Sequence, residues 1–342
     1  MKINMQTWAK SIIASPIKRS LPILSFPAVQ LMGISVRDLI SSSDLQARGM
    51  KLIAEHTPAA ASVSLMDLSV EAECFGAQIH FSDDEVPTVV GAVVSSLEDA
   101  EALQVPQVGA GRTGIYIEAI RKAVQEIEDR PVFAGVIGPF SLAGRLMDVT
   151  EAMVYCYEDP DMVALLLDKV TEFIIAYSKA YKEVGANGIV LAEPLAGLLS
   201  PALAAEFSSG YVKRIVDAVQ DESFAVIYHN CGGATIQMID SILDTGAAMY
   251  HFGNAISMEE MLRHIPADTI AMGNVDPARQ LRNGTPESVR EETLQVMSKC
   301  CSHPNFVIST GCDVPPMTPW KNIEAFFQAV DAFYQGGQAS AD

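Results

Sequence analysis

The sequence predicts an α/β protein built as a single (β/α)8 barrel, and three observations carry that expectation. Seven short apolar runs, rich in β-branched residues, recur along the chain; longer helical patterns separate them; and polar residues gather just after the runs. Continuous apolar runs suit strands buried on both faces, as in a parallel sheet covered by helices. Seven β/α units, with one more plausible early in the chain, favour closure into a barrel over an open sheet. One domain is expected over residues 1–342, with a helical extension over about 1–60.

The expected strands fall at 62–66, 133–137, 188–192, 224–228, 248–252, 269–272 and 306–309. Amphipathic stretches lie between them at 115–127, 161–184, 201–219, 236–243, 258–264 and 286–300. Asp159-Pro160-Asp161 and Ser200-Pro201 each pair a capping side chain with an early proline, which starts a helix. Gly185, Gly197 and Gly246 fall where helices should stop. No linker, repeat or low-complexity tract divides the chain.

Half of the 342 residues are apolar (49%), enough to bury a large core. A formal charge of −19 without clustered Lys and Arg excludes a nucleic-acid partner. Residues 1–20 carry Lys2, Lys10, Lys18 and Arg19 and no sustained apolar core, so neither a signal peptide nor a membrane anchor is expected. The six cysteines, at 74, 156, 231, 300, 301 and 312, form no paired framework. A cytoplasmic enzyme follows as the expectation, with free thiols available to metals.

Barrel enzymes place their chemistry at the C-terminal ends of the strands. Following the runs here are Asp67, then Gly138-Pro139-Phe140, Glu193, His229-Asn230-Cys231, Gly253-Asn254, Asn274 with Asp276, and Gly311-Cys312-Asp313. On an extended chain residues i and i+2 share a face, so His229 and Cys231 can hold one ion. A second parallel strand brings Cys312 to the same edge and completes an N/S/S set, which suits zinc and leaves a position for a reacting group. Glu193 ends the neighbouring strand. It is a candidate for a fourth, displaceable ligand or a proton acceptor, and equally for a bond to a helix N-terminus or an arginine.

Asp67, grouped with Glu71 and Glu73, can orient a substrate; Asp276 is a rim candidate that also suits a helix cap. Residues 109–114 spell G-x-G-x-x-G but follow no strand, with Pro106 just upstream, so a dinucleotide site is not expected. That segment reads as a loop presenting Arg112 to a charged ligand. Cys300 and Cys301 read as structural.

These residues resemble the uroporphyrinogen decarboxylase superfamily and, within it, the zinc-dependent corrinoid methyltransferases that act on coenzyme M. The resemblance runs from about Arg19 to Gly336 through MDLSVEAE at 66–73, GPFSLAG at 138–144, Ala192-Glu193-Pro194, HNCG at 229–232, GNVDP at 273–277 and GCDVP at 311–315. It implies a barrel holding zinc through His229, Cys231 and Cys312, with Glu193 able to take the remaining position. It also implies a methylated corrinoid as methyl donor and a small thiol as acceptor, the corrinoid arriving free or on a small carrier protein. Gly138, Pro139, Phe140 and Asn254 are the expected rim contacts of the corrinoid, and Arg112 and Arg145 those of the thiol's anionic end. The decarboxylase branch carries an arginine-rich R-Q-A-G-R motif; this chain has KRSLPIL at 18–24 instead, which makes tetrapyrrole decarboxylation the second reading. A non-catalytic corrinoid- or metal-binding protein is the third.

Overall fold

The computed structural model describes residues 3–338, so the expected domain limits at 1 and 342 lie outside the described residues. Nine strands are described: β1 (Ser62–Val63), β2 (Gln78–His80), β3 (Thr88–Val90), β4 (Val132–Ile137), β5 (Gly188–Ala192), β6 (Ala225–Asn230), β7 (Met249–Phe252), β8 (Ile270–Val275) and β9 (Phe306–Thr310). Seven form one sheet in the order β1-β4-β5-β6-β7-β8-β9, every pairing parallel. β2 and β3 make a separate antiparallel hairpin that the hydrophobic pattern did not announce.

Of the eight strands expected for a closed barrel, seven form the parallel sheet among the described residues. The segment 20–24 runs between the edge strands β1 and β9 on single bonds, Ala60 N donating to Ser20 O (2.8 Å) and Leu21 N to Ile308 O (3.0 Å). Ile23 N donates to a side chain, Thr310 Oγ1, at 3.2 Å. Pro22 has no N–H, so no continuous ladder forms there. β1 is also shorter than the expected 62–66, because the Ser64 hydroxyl, not a backbone carbonyl, accepts from Gly135 N at 2.9 Å.

Alternation along the strands divides the apolar residues between two cores. Val190 and Ala192 of β5, Ala225 and Ile227 of β6, Met249 of β7, Ile270 and Met272 of β8 and Val307 of β9 pack together on the inner face. Ile189, Leu191, Val226, Tyr228, Tyr250 and Phe252 join the larger outer core against the helices. The period of two therefore sends His229, His251 and Ser309 inward. Among the described residues four helices precede β1, at Met5–Ala14, Ala28–Met32, Val36–Ile40 and Ser43–His56. The first of them lays Met5 and Trp8 against the inner residues at the strand starts.

The helix punctuation matches its chemistry. Asp159 accepts from Met162 N (3.2 Å) and Ser200 from Leu203 N (3.3 Å). Gly185 and Gly246 take the left-handed backbone, at φ 101° and 71°. Gly197 does not end a helix. It sits in a short 3-10 turn, Ala196–Leu198, where a Cβ would lie 2.3 Å from Gly232 Cα, so close backbone approach explains this glycine. No helix among the described residues is long and apolar enough to cross a membrane.

Candidate metal centre

His229 is the fifth of six residues in β6, and Cys231 follows the strand end. Cys312 lies two residues beyond β9. One ligand atom from each of the three lies within 4.8 Å of the others. His229 Nε2 and Cys312 Sγ are 3.5 Å apart. A nitrogen at about 2.0 Å and a sulfur at about 2.3 Å from a tetrahedral ion would be separated by about 3.5 Å, so this edge already has the spacing zinc requires.

The two thiols are shifted in opposite directions. A hydrogen bond from Cys312 pulls the Cys231 thiol below its ordinary pKa, against burial. The same bond, with burial, pushes Cys312 up to about 12. Gly253 makes room for Cys231: a Cβ there would lie 2.5 Å from Cys231 Cβ.

His229 does not stand alone. It pairs in register with His251 of β7, and both residues are buried, each 1% exposed. Their Nδ1 atoms are 2.8 Å apart, and His251 Nε2 lies 2.8 Å from Ser309 Oγ. The sequence reading missed His251. Its signal was a histidine in phase with inward-facing Met249 inside an otherwise apolar run.

Glu193 follows β5, its N–H donating to His229 O at 2.9 Å, but its carboxylate is turned elsewhere. It accepts from Phe140 N (3.0 Å) and Ser141 N (2.6 Å), with Ser208 Oγ at 3.4 Å. Those are the free N–H groups at the start of the helix Pro139–Met147. Glu193 is outside the His229/Cys231/Cys312 group. Gly138 leaves space for that carboxylate, since a Cβ would lie 2.5 Å from Glu193 Oε2. Gly138, Pro139 and Phe140 are all buried, and Phe140, at 0% exposure, packs in the outer core rather than presenting its ring to the rim.

Arg112, expected to be available for a ligand, is already engaged. It donates to Glu73 (2.6 Å), to Ser69 Oγ (2.7 Å) and, in a very short ion pair, to Asp67. Asp67 also accepts from Tyr116 OH at 2.7 Å and Ser69 Oγ at 2.6 Å. Arg145 is different: its buried Nε has no partner. Burial lowers its pKa, while Glu71, Asp67 and Glu193 act in the opposite sense. Asp276 accepts from Ala278 N (2.9 Å) and Arg279 N (2.8 Å) and caps the turn Pro277–Arg282. Asn254 is exposed and stands against Gly311, where a Cβ would meet its Oδ1 at 2.6 Å.

Glu71 is a third buried acid, beside Asp67 and Glu193. Its Oε1 accepts from Ile137 N at 3.1 Å, while Oε2 has no partner. Burial pushes its carboxyl up to about 7. Because the folded pKa lies above the ordinary value, Glu71 favours the folded state fully below about pH 4.5, and this contribution is lost as pH rises through about 7. In urea unfolding at pH 5 and pH 8, wild type should lose on the order of 3 kcal/mol more than Glu71→Gln. Equal losses in the two proteins would remove Glu71 from the account.

The comparisons with known proteins follow this geometry. The chain is 32% identical over 264 residues, 75% of each chain, to a methylcobamide:CoM methyltransferase, MtbA, of Methanosarcina acetivorans. It is 26% identical over 287 residues, 81% of this chain and 78% of the relative, to a uroporphyrinogen decarboxylase of Coxiella burnetii. A solved methyltransferase from Methanosarcina mazei superposes with a TM-score of 0.84 at 23% identity, covering 97% of this chain and 99% of that one, which establishes the shared fold. The sequence profile described as Uroporphyrinogen decarboxylase (URO-D) matches residues 23–333, a span that includes the whole sheet and the three clustered ligands. On that match the chain belongs to the uroporphyrinogen decarboxylase family.

Proposed function

We propose that this protein is a zinc-dependent methyltransferase that moves a methyl group from a methylated corrinoid to a small thiol. The observation that carries the reading is the N/S/S set of His229, Cys231 and Cys312, gathered within 4.8 Å in a chain 32% identical to a methylcobamide:CoM methyltransferase. Zinc bound there would supply the Lewis acidity that keeps a substrate thiol ionised near neutral pH. Two thiolates and one neutral imidazole bring a formal charge of −2 against the ion's +2. In the transfer the substrate sulfur forms a bond to the methyl carbon as the carbon–cobalt bond breaks. Both electrons of that bond stay on cobalt, taking Co(III) to Co(I), and the thiol proton goes to solvent. The corrinoid supplies the difficult redox chemistry, while this chain supplies position and charge. The corrinoid arrives free or on a small carrier protein. A reducing cytoplasm keeps Cys231 and Cys312 as thiols.

Of the two arginines suggested for the thiol's anionic end, the geometry favours Arg145, because every nitrogen of Arg112 is already engaged by Glu73, Asp67 or Ser69. Arg145→Lys keeps the charge but loses the planar fork. It should raise KM for 2-mercaptoethanesulfonate about 10–100-fold, the equivalent of one charge-assisted hydrogen bond. KM for uncharged 2-mercaptoethanol should be unchanged, and an equal rise for both thiols would exclude Arg145 from substrate recognition.

The test of the function is metal analysis followed by demethylation of methylcobalamin with a panel of thiols. One zinc per chain and a methylated thiol product support the proposal. Zinc-free protein with full activity, or metal binding without transfer to any thiol, refutes it. Conversion of uroporphyrinogen to coproporphyrinogen would instead establish the decarboxylase reading, which the 26% relatives keep in view.

A further inference from the structure

The hydrogen bonds behind His229 have a direction, and it can be worked out from their far end. Ser309 Oγ donates to the backbone oxygen of Leu21 at 2.7 Å, and a carbonyl can only accept. The Ser309 proton is therefore committed, so at its other contact, 2.8 Å from His251 Nε2, the hydroxyl accepts. His251 then carries its proton on Nε2, and as a neutral ring it leaves Nδ1 bare. At 2.8 Å from that bare nitrogen, His229 Nδ1 must be the donor. A neutral His229 protonated on Nδ1 has a free lone pair on Nε2, the atom that faces Cys312 Sγ at 3.5 Å. The opposite direction would take the Ser309 proton away from Leu21 O. All three side chains are at most 1% exposed, so water does not readily supply a replacement.

We propose that His251 is a positioning residue of the metal centre, accepting the Nδ1 proton of His229 and so holding Nε2 bare and aimed between the two cysteines. The chain of bonds ends on the segment 20–24, which otherwise joins the sheet only by single bonds. That segment thereby sets the tautomer of a side chain more than two hundred positions away in sequence. The inward phase of β6, β7 and β9 turns His229, His251 and Ser309 to the same side of the sheet, with His229 and His251 in register. The ring planes cross at 72° with centroids 4.7 Å apart, so the contact is between edges and not faces. The consequence for metal affinity rests on the zinc reading above, but the tautomer itself can be read without metal.

The deciding experiment is nitrogen-15 NMR of histidine-labelled, metal-free wild-type protein. His229 protonated on Nδ1 with Nε2 bare is the expected state, and His229 protonated on Nε2 overturns the proposal. This readout stands whether or not the protein binds zinc, so it fails separately from the functional reading. In the metal-bound protein, His251→Leu removes the acceptor and should weaken zinc binding in chelator competition about 10–100-fold, the usual range for a partner of a metal-ligating histidine. It should also shift the visible bands of the cobalt-substituted protein. His251→Asn places an oxygen where Nδ1 was and should recover affinity to within a few-fold of wild type. Wild-type affinity in folded His251→Leu overturns the positioning role, as does loss of affinity in His251→Asn equal to that in His251→Leu.

Discussion

Cys312→Ser should purify without stoichiometric zinc and without measurable methyl transfer from methylcobalamin. The serine hydroxyl ionises far above neutral pH, so the ligand set drops from two thiolates to one and keeps a proton where a bond to the ion was needed. Alterations beside a metal ligand already cost about 10–100-fold in affinity, and loss of a ligand should exceed the upper end of that range. The fold should survive, because Cys312 is only half-buried at the end of the sheet and its absence opens no large core cavity. Circular dichroism and metal analysis on the same sample separate the two effects. Cys300→Ser is the control: Cys300 is 1% exposed, and burial pushes its thiol up to about 12, as in a small core residue. A Cys312→Ser protein that still carries one zinc per chain and full activity would end the proposal.

Glu193→Ala should lower stability sharply and leave metal content at one ion per chain. The carboxylate accepts the Phe140 and Ser141 N–H groups at the start of the helix Pro139–Met147, and all of these atoms are buried. Truncation leaves two buried donors without acceptors and a cavity beneath Gly138, at a cost of about 2–5 kcal/mol. Burial pushes the Glu193 carboxyl up to about 7, against the pull of those donors. Its contribution to stability therefore declines as pH rises from about 4.5 through 7, the same sense as Glu71. The contrasting possibility is a ligand that swings to the ion, and it predicts the reverse pattern: weakened metal binding with the urea midpoint unchanged. Measuring both quantities on one variant decides between them.

Glu193 and Arg112 show where reading along the chain reaches its limit. The sequence placed Glu193 after a strand and Arg112 in a loop, and each is there. What they do depends on partners that are distant in sequence. Glu193 is claimed by the helix that follows β4, and Arg112 by Asp67, Glu73 and Ser69 some forty positions upstream. The same holds for Gly253 and Gly197, whose lack of a side chain matters only because Cys231 and Gly232 press against them. The β2–β3 hairpin has too few residues to show a period, and segment 20–24 carries a proline that disguises its place between two strands.

By itself, the chain's local chemistry determined the parallel α/β class, the positions of most strands, the caps at Asp159 and Ser200, and the three metal-capable residues. Each of these follows from a period of two, a turn residue or a spacing that a short window contains. Only the tertiary structure decided that seven strands, not eight, are regular, that Arg145 and not Arg112 keeps an unpartnered nitrogen, and that His251 stands behind His229. These depend on which atoms meet across the sheet, and a hydrogen bond's direction is settled only when every partner along its path is known.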